Sequence, residues 1–238
     1  MCGRFTLRTP LTVLSQQFLF DLGPAAEVAD VRPRYNIAPT QTIAAVRRTG
    51  SASPRTLAWL HWGLIPSWAK DAKMAASMIN ARSETAAEKP AFRSAFARRR
   101  CLVLCDGFFE WKKVGREKQP YYYRMQDERP FALAGLWESW RGPAGSEGPP
   151  LESATILTST ANELCCELHD RMPVILEACD YDSWLDPAAA KEDLLALLAP
   201  FSADAMKSEP VSRRVNNARN DDPQCVAAQE GLFQEGRP

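Results

Sequence analysis

Cys2 has the richest potential chemistry of any residue near the start of the sequence. Removal of Met1 would leave an amino-terminal cysteine, with an α-amine of pKa about 7.7–8.0 beside a thiol of pKa about 8.5. An amine condenses with an aldehyde to an imine, and a thiolate on the adjacent carbon can then close a ring. An amino-terminal cysteine is therefore a trap for aldehydes. Taken alone, Cys2 is more simply explained as a cysteine that stands there by chance.

Glu110 is a second candidate, within the segment DGFFEW at residues 106–111. A carboxylate between Phe109 and Trp111 loses hydration, which raises its pKa and suits proton transfer near neutral pH. Strand alternation gives a competing interpretation, in which the two aromatic residues face the core and Glu110 faces solvent. The sequence supports both interpretations equally.

Three further polar residues stand in unusual contexts. His169 lies where a short predicted helix ends, in the segment HDRMP, and the helix dipole there favours its charged form. A single histidine is nevertheless more often structural than catalytic. Asn80 and Arg82, in the segment NARSE, offer an amide and a guanidinium at the entrance of a predicted helix. Helix capping explains this pair equally well.

The signatures of several enzyme classes are absent from the sequence. It contains no G-x-S-x-G motif of serine hydrolases, no G-x-G-x-x-G or Walker A motif of nucleotide-binding proteins and no H-E-x-x-H motif of zinc proteases. The seven cysteines include no C-x-x-C pair, and His61 and His169 are the only histidines. A metal site would need an unusual ligand set, so we predict neither a metal nor another cofactor.

The composition indicates a folded protein of the reducing cytoplasm. Of 238 residues, 45% are hydrophobic and the formal net charge is zero, which excludes global disorder. An odd number of irregularly spaced cysteines is not typical of a secreted disulfide framework. Polar residues 15–17 interrupt the apolar core that a signal peptide would need, and no stretch approaches the ~20 apolar residues of a membrane span. We therefore predict a cytoplasmic protein without membrane association.

Charge is unevenly distributed along the chain. Residues 1–120 contain 19 basic and 9 acidic residues, whereas residues 121–238 contain 10 and 20. The two halves can neutralise each other by packing together, or the first half can supply a basic face for a polyanion. The arginine run 98–100 is likewise compatible with a solvated helix end or with a phosphate contact.

Short strands are predicted to dominate the fold. β-branched, aromatic or alternating residues predict strands at 42–48, 57–62, 101–105, 121–125, 131–136 and 154–158. Spacing and capping signals predict helices at 11–20, 84–100, 160–169 and 187–198. The Gly/Pro-rich stretch 141–152 is predicted to be a surface loop and not a domain linker. The pattern predicts an α+β single domain with a barrel-like, mostly antiparallel β core and peripheral helices.

Six segments in a fixed order resemble the SOS response-associated peptidase (SRAP) family, the abasic-site-processing proteins. They are MCGRF (1–5), RYNIAP (34–39), WGLIP (62–66), INARSET (79–85), DGFFEW (106–111) and HDRMP (169–173). Near the end, VNN at 215–217 and ND at 220–221 also fit. The resemblance covers residues 1–222 as one domain, and residues 223–238 are expected to form a poorly ordered tail.

The resemblance implies an α+β domain with a positively charged groove for single-stranded DNA that contains abasic sites, so that the protein is nucleoid-associated when bound. It implies a covalent link between the amino-terminal Cys2 and the abasic aldehyde, a thiazolidine, with loss of Met1 accounting for the peptidase name. Glu110 then matches the proton shuttle, Asn80 the group that orients Cys2, and His169 the acid/base that opens the deoxyribose ring. The positions that line the groove are Arg4, Asn36, Pro39, Trp68, Arg82 and Arg171. Arg82 would bind phosphate, whereas Trp68 and Pro39 would stack on or wedge between bases.

Two functions from other classes remain open on the sequence alone. A non-catalytic module for single-stranded DNA would use the same groove and would be indifferent to abasic lesions and to Cys2. A cysteine peptidase that acts on other proteins would pair Cys2 with His169 and would turn over a peptide substrate.

Overall fold

The computed structural model describes residues 2–22, 32–143 and 146–229, which contain fourteen strands. The strands are β1 (Phe5–Leu7), β2 (Phe20–Asp21), β3 (Arg34–Ile37), β4 (Thr42–Arg47), β5 (Arg55–Trp62), β6 (Asn80–Arg82), β7 (Arg100–Cys105), β8 (Gly107–Val114), β9 (Glu117–Met125), β10 (Phe131–Trp140), β11 (Leu151–Thr160), β12 (Arg171–Pro173), β13 (Ile175–Leu176) and β14 (Met206–Pro210).

The larger of two sheets closes into a barrel. Strands β11, β10, β7, β4 and β5 follow one another as antiparallel neighbours, and a parallel pairing of β5 with β11 completes the ring. All six residues of β7 are buried, because side chains fill the barrel on one face and helices cover the other. The smaller sheet has the antiparallel order β14-β9-β8-β1-β3. The predicted α+β fold with a barrel-like, mostly antiparallel core is confirmed.

Five short α-helices lie around the strands in the described part of the chain. They are α1 (Leu11–Phe18), α2 (Ser83–Ala86), α3 (Arg93–Arg98), α4 (Tyr181–Leu185) and α5 (Lys191–Ala196). Among the described residues, none of these helices has the length and apolar character needed to cross a membrane.

The six predicted strands are confirmed, and most extend further than predicted. The prediction missed eight of the fourteen described strands; the longest of these is β8, whose alternation Gly107 and the lysines at its far end obscure. It also placed the boundary of the loop at 141–152 too late, because Leu151 already pairs with Trp140 in the β10–β11 ladder. Residues 144 and 145 of that loop lie outside the described residues.

The helix predicted at 84–100 is wrong as a single element. Pro90 lacks a backbone N–H and disfavours helix in the residue before it, so the segment divides into α2 and α3 and Arg100 enters β7. In the arginine run, Arg99 pairs with Glu138 and Arg100 donates to the buried carbonyls of the helix ends. The run as a whole is therefore neither a solvated helix end nor a free phosphate site.

The other predicted helices are shorter than expected. Residues 160–169 form turns and not a helix: Thr160 ends β11, and the Oδ1 atom of Asn162 accepts a hydrogen bond from the backbone N–H of Cys165 at 2.9 Å. The helix predicted at 187–198 spans only α5, and the helix predicted at 11–20 ends at Phe18. Leu19 then adopts a left-handed conformation with φ 52°, which ends α1.

The first part of the predicted tail packs on the domain instead of fraying. Residues Pro223–Val226 form a 3₁₀ turn, Cys225 is fully buried, and Ala228 forms a bridge with Val211. Residues 230–238 of the predicted tail lie outside the described residues.

Candidate active site

Cys2 is held at the junction of the two sheets. It is fully buried, and its backbone carbonyl accepts a hydrogen bond from the side-chain Nδ2 of Asn80 at 2.8 Å. Asn80 begins β6, which runs parallel to barrel strand β11, while Cys2 lies just before β1 of the smaller sheet. The barrel and the smaller sheet thus each supply one of these two residues. The Oδ1 atom of Asn80 is buried and receives no hydrogen bond from the described residues.

Glu110 reaches the same place from β8, the neighbour of β1. Phe5 pairs with Phe108, and the backbone N–H of Phe109 donates to the carbonyl of Arg4 at 3.0 Å. Glu110 is only 6% exposed, so the buried alternative of the two sequence interpretations is confirmed. The opposite face of β8 is covered as well, because Phe109 packs in a small second cluster built partly by the chain's last segment.

Burial sets the ionisation of this site. It raises the pKa of Glu110 to about 7, an effect that the positive charge of the amino terminus opposes. Burial raises the pKa of the Cys2 thiol to about 12, and the negative charge of Glu110 adds to the increase. The site therefore holds a carboxyl that can exchange a proton near neutral pH and a thiol that stays protonated until a base takes its proton.

His169 is half-buried at the end of the turns that follow β11. Its Nδ1 atom accepts a hydrogen bond from the backbone N–H of Arg171 at 2.9 Å, which assigns the proton of the neutral ring to Nε2. Burial lowers the pKa of His169, as does the amino terminus, while Asp170 opposes both. At neutral pH the ring is therefore mostly neutral, with Nε2–H free of the contacts that bind Nδ1.

Three of the predicted groove residues present accessible side chains. Arg82 is exposed at the start of α2, and the neighbouring Glu84 is already paired with Arg171. The indole of Trp68 is 58% exposed, and Pro39 is partly exposed. The loop that carries Trp68 is anchored, because the Nε1 atom of Trp140 donates to the carbonyl of Ala69 at 2.8 Å.

Asn36 is fully buried, which does not fit the expectation that its side chain lines a groove. Its Nδ2 donates to the carbonyls of three residues in the last segment, and its Oδ1 accepts from the guanidinium of Arg4 at 2.6 Å. Arg4 also donates to the carbonyl of Val215 at 2.8 Å and lies over the ring of Trp111. The two residues thus fasten the last segment to β3 and β8.

Arg171 also differs from the expectation of a free cation in the groove. Its side chain is 11% exposed and forms a two-pronged ion pair with Glu84, at 2.5 and 2.9 Å, that lowers the pKa of Glu84. It donates in addition to the carbonyl of Thr158. Sequence reasoning gave Glu84 no role, although the residue stands inside the same INARSET segment that contains Asn80 and Arg82.

Two buried thiols near the site were also not singled out from the sequence. Cys105 and Cys165 both interact electrostatically with Cys2, and burial raises the pKa of Cys165 to about 12. No sequence motif marks them. Among the described residues, no group of three His, Cys, Asp or Glu side chains could hold a metal ion.

Comparisons with known proteins agree with this arrangement. The family model described as SOS response associated peptidase (SRAP) matches residues 1–218. The abasic site processing protein YoqW of Bacillus subtilis is 42% identical over 95% of this chain and 99% of its own, and HMCES of Xenopus tropicalis is 35% identical over 83% and 66%. A crystal structure of a protein from Bacteroides thetaiotaomicron has a TM-score of 0.85 at 26% identity, covering 96% of this chain and all of that one. The chain that brings Cys2, Asn80 and Glu110 together in this fold belongs to the SOS response associated peptidase (SRAP) family.

Proposed function

We propose that the protein processes abasic sites in single-stranded DNA by attaching Cys2 covalently to the abasic aldehyde after Met1 has been removed. The observation that carries this proposal is the placement of Cys2: its carbonyl is held by Asn80, and the pKa of the nearby Glu110 carboxyl is about 7. Two relatives above 30% identity bear the name of abasic site processing proteins, which supports the substrate class.

His169 acts on the closed sugar first. An abasic deoxyribose rests mainly as a cyclic hemiacetal, which hides the aldehyde. The imidazolium form of His169 donates its Nε2 proton to the ring oxygen as the C1′–O4′ bond breaks, and the C1′ hydroxyl loses its proton to water. The lowered pKa of His169 makes the imidazolium a stronger acid, and the neutral ring then regains a proton from water.

The amine of Cys2 attacks before its thiol. An α-amine of pKa about 8 is roughly a tenth unprotonated at neutral pH, whereas a thiol of pKa about 12 is almost wholly protonated. The amine adds to C1′, a proton passes from the nitrogen to the oxygen, and protonated Glu110 gives its proton to the departing hydroxyl. Water leaves, and an iminium forms. The unpartnered Oδ1 of Asn80 is available to accept a hydrogen bond from the amine.

The thiol then closes the ring. Glu110, now a carboxylate, takes the thiol proton, and the sulfur adds to the iminium carbon while the nitrogen recovers its electron pair. The product is a five-membered thiazolidine, and one water has been lost overall. Ring closure explains the need for cysteine, because an imine alone hydrolyses readily.

The surroundings of the Cys2 thiol argue against the rival function of a cysteine peptidase for other proteins. Such an enzyme would pair Cys2 with His169 to form a thiolate, whereas the charge of Glu110 acts on this thiol and raises its pKa. The peptidase chemistry that fits this site is removal of Met1, either by the folded chain itself or by a separate aminopeptidase. Synthesis in an aminopeptidase-free translation mixture distinguishes the two.

Intact mass spectrometry tests the proposal directly. Purified protein should lack the mass of Met1, and incubation with a single-stranded oligonucleotide containing one abasic site should add the mass of the oligonucleotide less one water. The same oligonucleotide with an undamaged base is the control and should add nothing. Absence of the adduct from protein that has lost Met1 would overturn the proposal.

Arg82 is expected to be a phosphate contact. Arg82→Ala should weaken binding of single-stranded DNA and reduce the slope of log affinity against log salt by about 0.7, the contribution of one contact. Arg98→Ala removes an exposed arginine from α3 and should leave both quantities unchanged. Affinity measured across a salt series checks this, and an unaltered slope in Arg82→Ala would show that the groove lies elsewhere.

A further inference from the structure

The hairpin that joins β8 to β9 projects an unneutralised positive charge. Its outer part, residues 112–118, is exposed and contains four basic residues and one acidic residue. The acidic residue, Glu117, forms an ion pair with Arg213 from the last segment. None of the four basic residues forms an ion pair within the described part of the chain. They are Lys112, Lys113, Arg116 and Lys118. We call residues 112–118 the basic hairpin.

Two lysines of the basic hairpin repel each other. Lys113 and Lys118 are direct cross-strand partners in the β8–β9 ladder. Like charges in that position repel and destabilise a hairpin. Nothing in the fold requires lysine at either position, because both side chains are exposed. An anion that binds between them would turn this repulsion into attraction.

The basic hairpin continues the strand that carries Glu110 of the active site. Glu110 and Lys112 point to the same face of β8, about 7 Å apart along the strand. At the hairpin's base, Asn216 accepts from Nε1 of Trp111 at 2.7 Å and donates to the carbonyl of Lys118 at 3.0 Å. At its tip, Gly115 has φ 61°, the backbone that a tight two-residue turn needs at its first position. The lysines are therefore carried on a rigid ribbon that begins at the catalytic carboxyl.

We propose that the basic hairpin binds the phosphates of the DNA strand that flanks the abasic site, as a second anchoring surface beyond the groove. The proposal rests on the proposed function for its partner, a single strand whose abasic sugar lies at Cys2. A nucleic acid carries regularly spaced phosphates and so supplies an anion for each of several lysines along a ribbon. The proposed role of the surface is in affinity and not in the chemical step.

Binding of undamaged oligonucleotides of two lengths tests the surface. In the triple variant Lys112→Gln, Lys113→Gln, Lys118→Gln, the salt slope for a strand of about 25 nucleotides should fall by about 2, the contribution of three contacts. A strand of about 5 nucleotides, which fills only the groove, should bind as it does to wild-type protein. The melting temperature should not fall, because the variant removes a repulsion and no packing.

A control of equal charge separates local contacts from net charge. The control triple variant removes three exposed cations from other surfaces, by Arg98→Gln, Arg129→Gln and Lys191→Gln. Its salt slope for the long strand should stay close to that of the wild-type protein. An unchanged slope in the hairpin variant, or an equal loss in the control variant, would overturn the proposal. So would a loss that is the same for both strand lengths, or a wild-type protein that binds neither strand.

The outcome is independent of the covalent chemistry. Undamaged DNA forms no adduct, so the measurement reports on the surface alone. Suppose that wild-type protein binds the long strand through the hairpin but forms no adduct with abasic DNA. That result would contradict the proposed function and would not contradict the proposed DNA-binding surface.

Discussion

Cys2→Ser should still form an imine with abasic DNA but should yield almost no heat-stable adduct. The α-amine is retained, whereas the serine hydroxyl is a poor nucleophile at neutral pH and does not close the ring. The open imine then hydrolyses, or the DNA strand breaks by β-elimination. Borohydride added during the incubation should trap the variant on the DNA, and denaturing electrophoresis with and without borohydride measures both quantities.

Blocking the α-amine of Cys2 tests the other nucleophile. Protein that retains Met1, or whose amino terminus is acetylated, should give neither the reducible nor the heat-stable adduct, although its thiol is intact. Cys166→Ser removes an exposed thiol and should behave as wild type. A stable adduct from protein that retains Met1 would contradict the mechanism, since the amine is its first nucleophile.

Glu110→Gln and His169→Ala should each form the wild-type adduct about 10²–10⁴-fold more slowly, the usual cost of losing a proton-transfer group. The pH dependence distinguishes them. Glu110 must be protonated to expel the hydroxyl, and its pKa is about 7, so the wild-type rate should fall on the alkaline side as the carboxyl ionises. Glu110→Gln should lose this alkaline fall.

His169→Ala should keep the fall that Glu110 causes and lose a second fall at lower pH. The imidazolium is the form that donates the proton, so the wild-type rate falls as the ring becomes neutral, at a pH below the ordinary value for histidine because its pKa is lowered. Glu88→Gln removes an exposed carboxylate and serves as control. Single-turnover rates across a pH series provide the measurement, and a wild-type rate in either variant would remove that residue from the mechanism.

The barrel could be predicted because its strands carry local signals. Residues 101–105 and 131–136 are continuous apolar runs, and burial on both faces favours such runs. Strand β8 gave no such signal. Its partner strands are β1, about a hundred residues earlier, and β9, and its outer half is a charged ribbon. Pairing over that distance is not encoded in any short window.

The same long-range packing explains the errors at the site. The burial of Glu110 beside Cys2 depends on the pairing of β8 with β1, about a hundred residues earlier in the sequence. Asn36 and Arg171 have the residue types of DNA contacts, yet each finds its partners within the protein. Residue type predicts what a side chain can bind, whereas its exposure depends on elements distant in the sequence.

The position of β1 also determines when the amino terminus becomes buried during synthesis of the chain. This strand lies between β3 and β8 in the smaller sheet, so its ladder with β8 cannot form until residue 108 has left the ribosome. At about 5–20 residues per second, the strand waits roughly 5 to 20 seconds for that partner. During this interval the amino terminus is open to an aminopeptidase that acts on growing chains. Afterwards β1 lies between its two neighbours and Cys2 is fully buried.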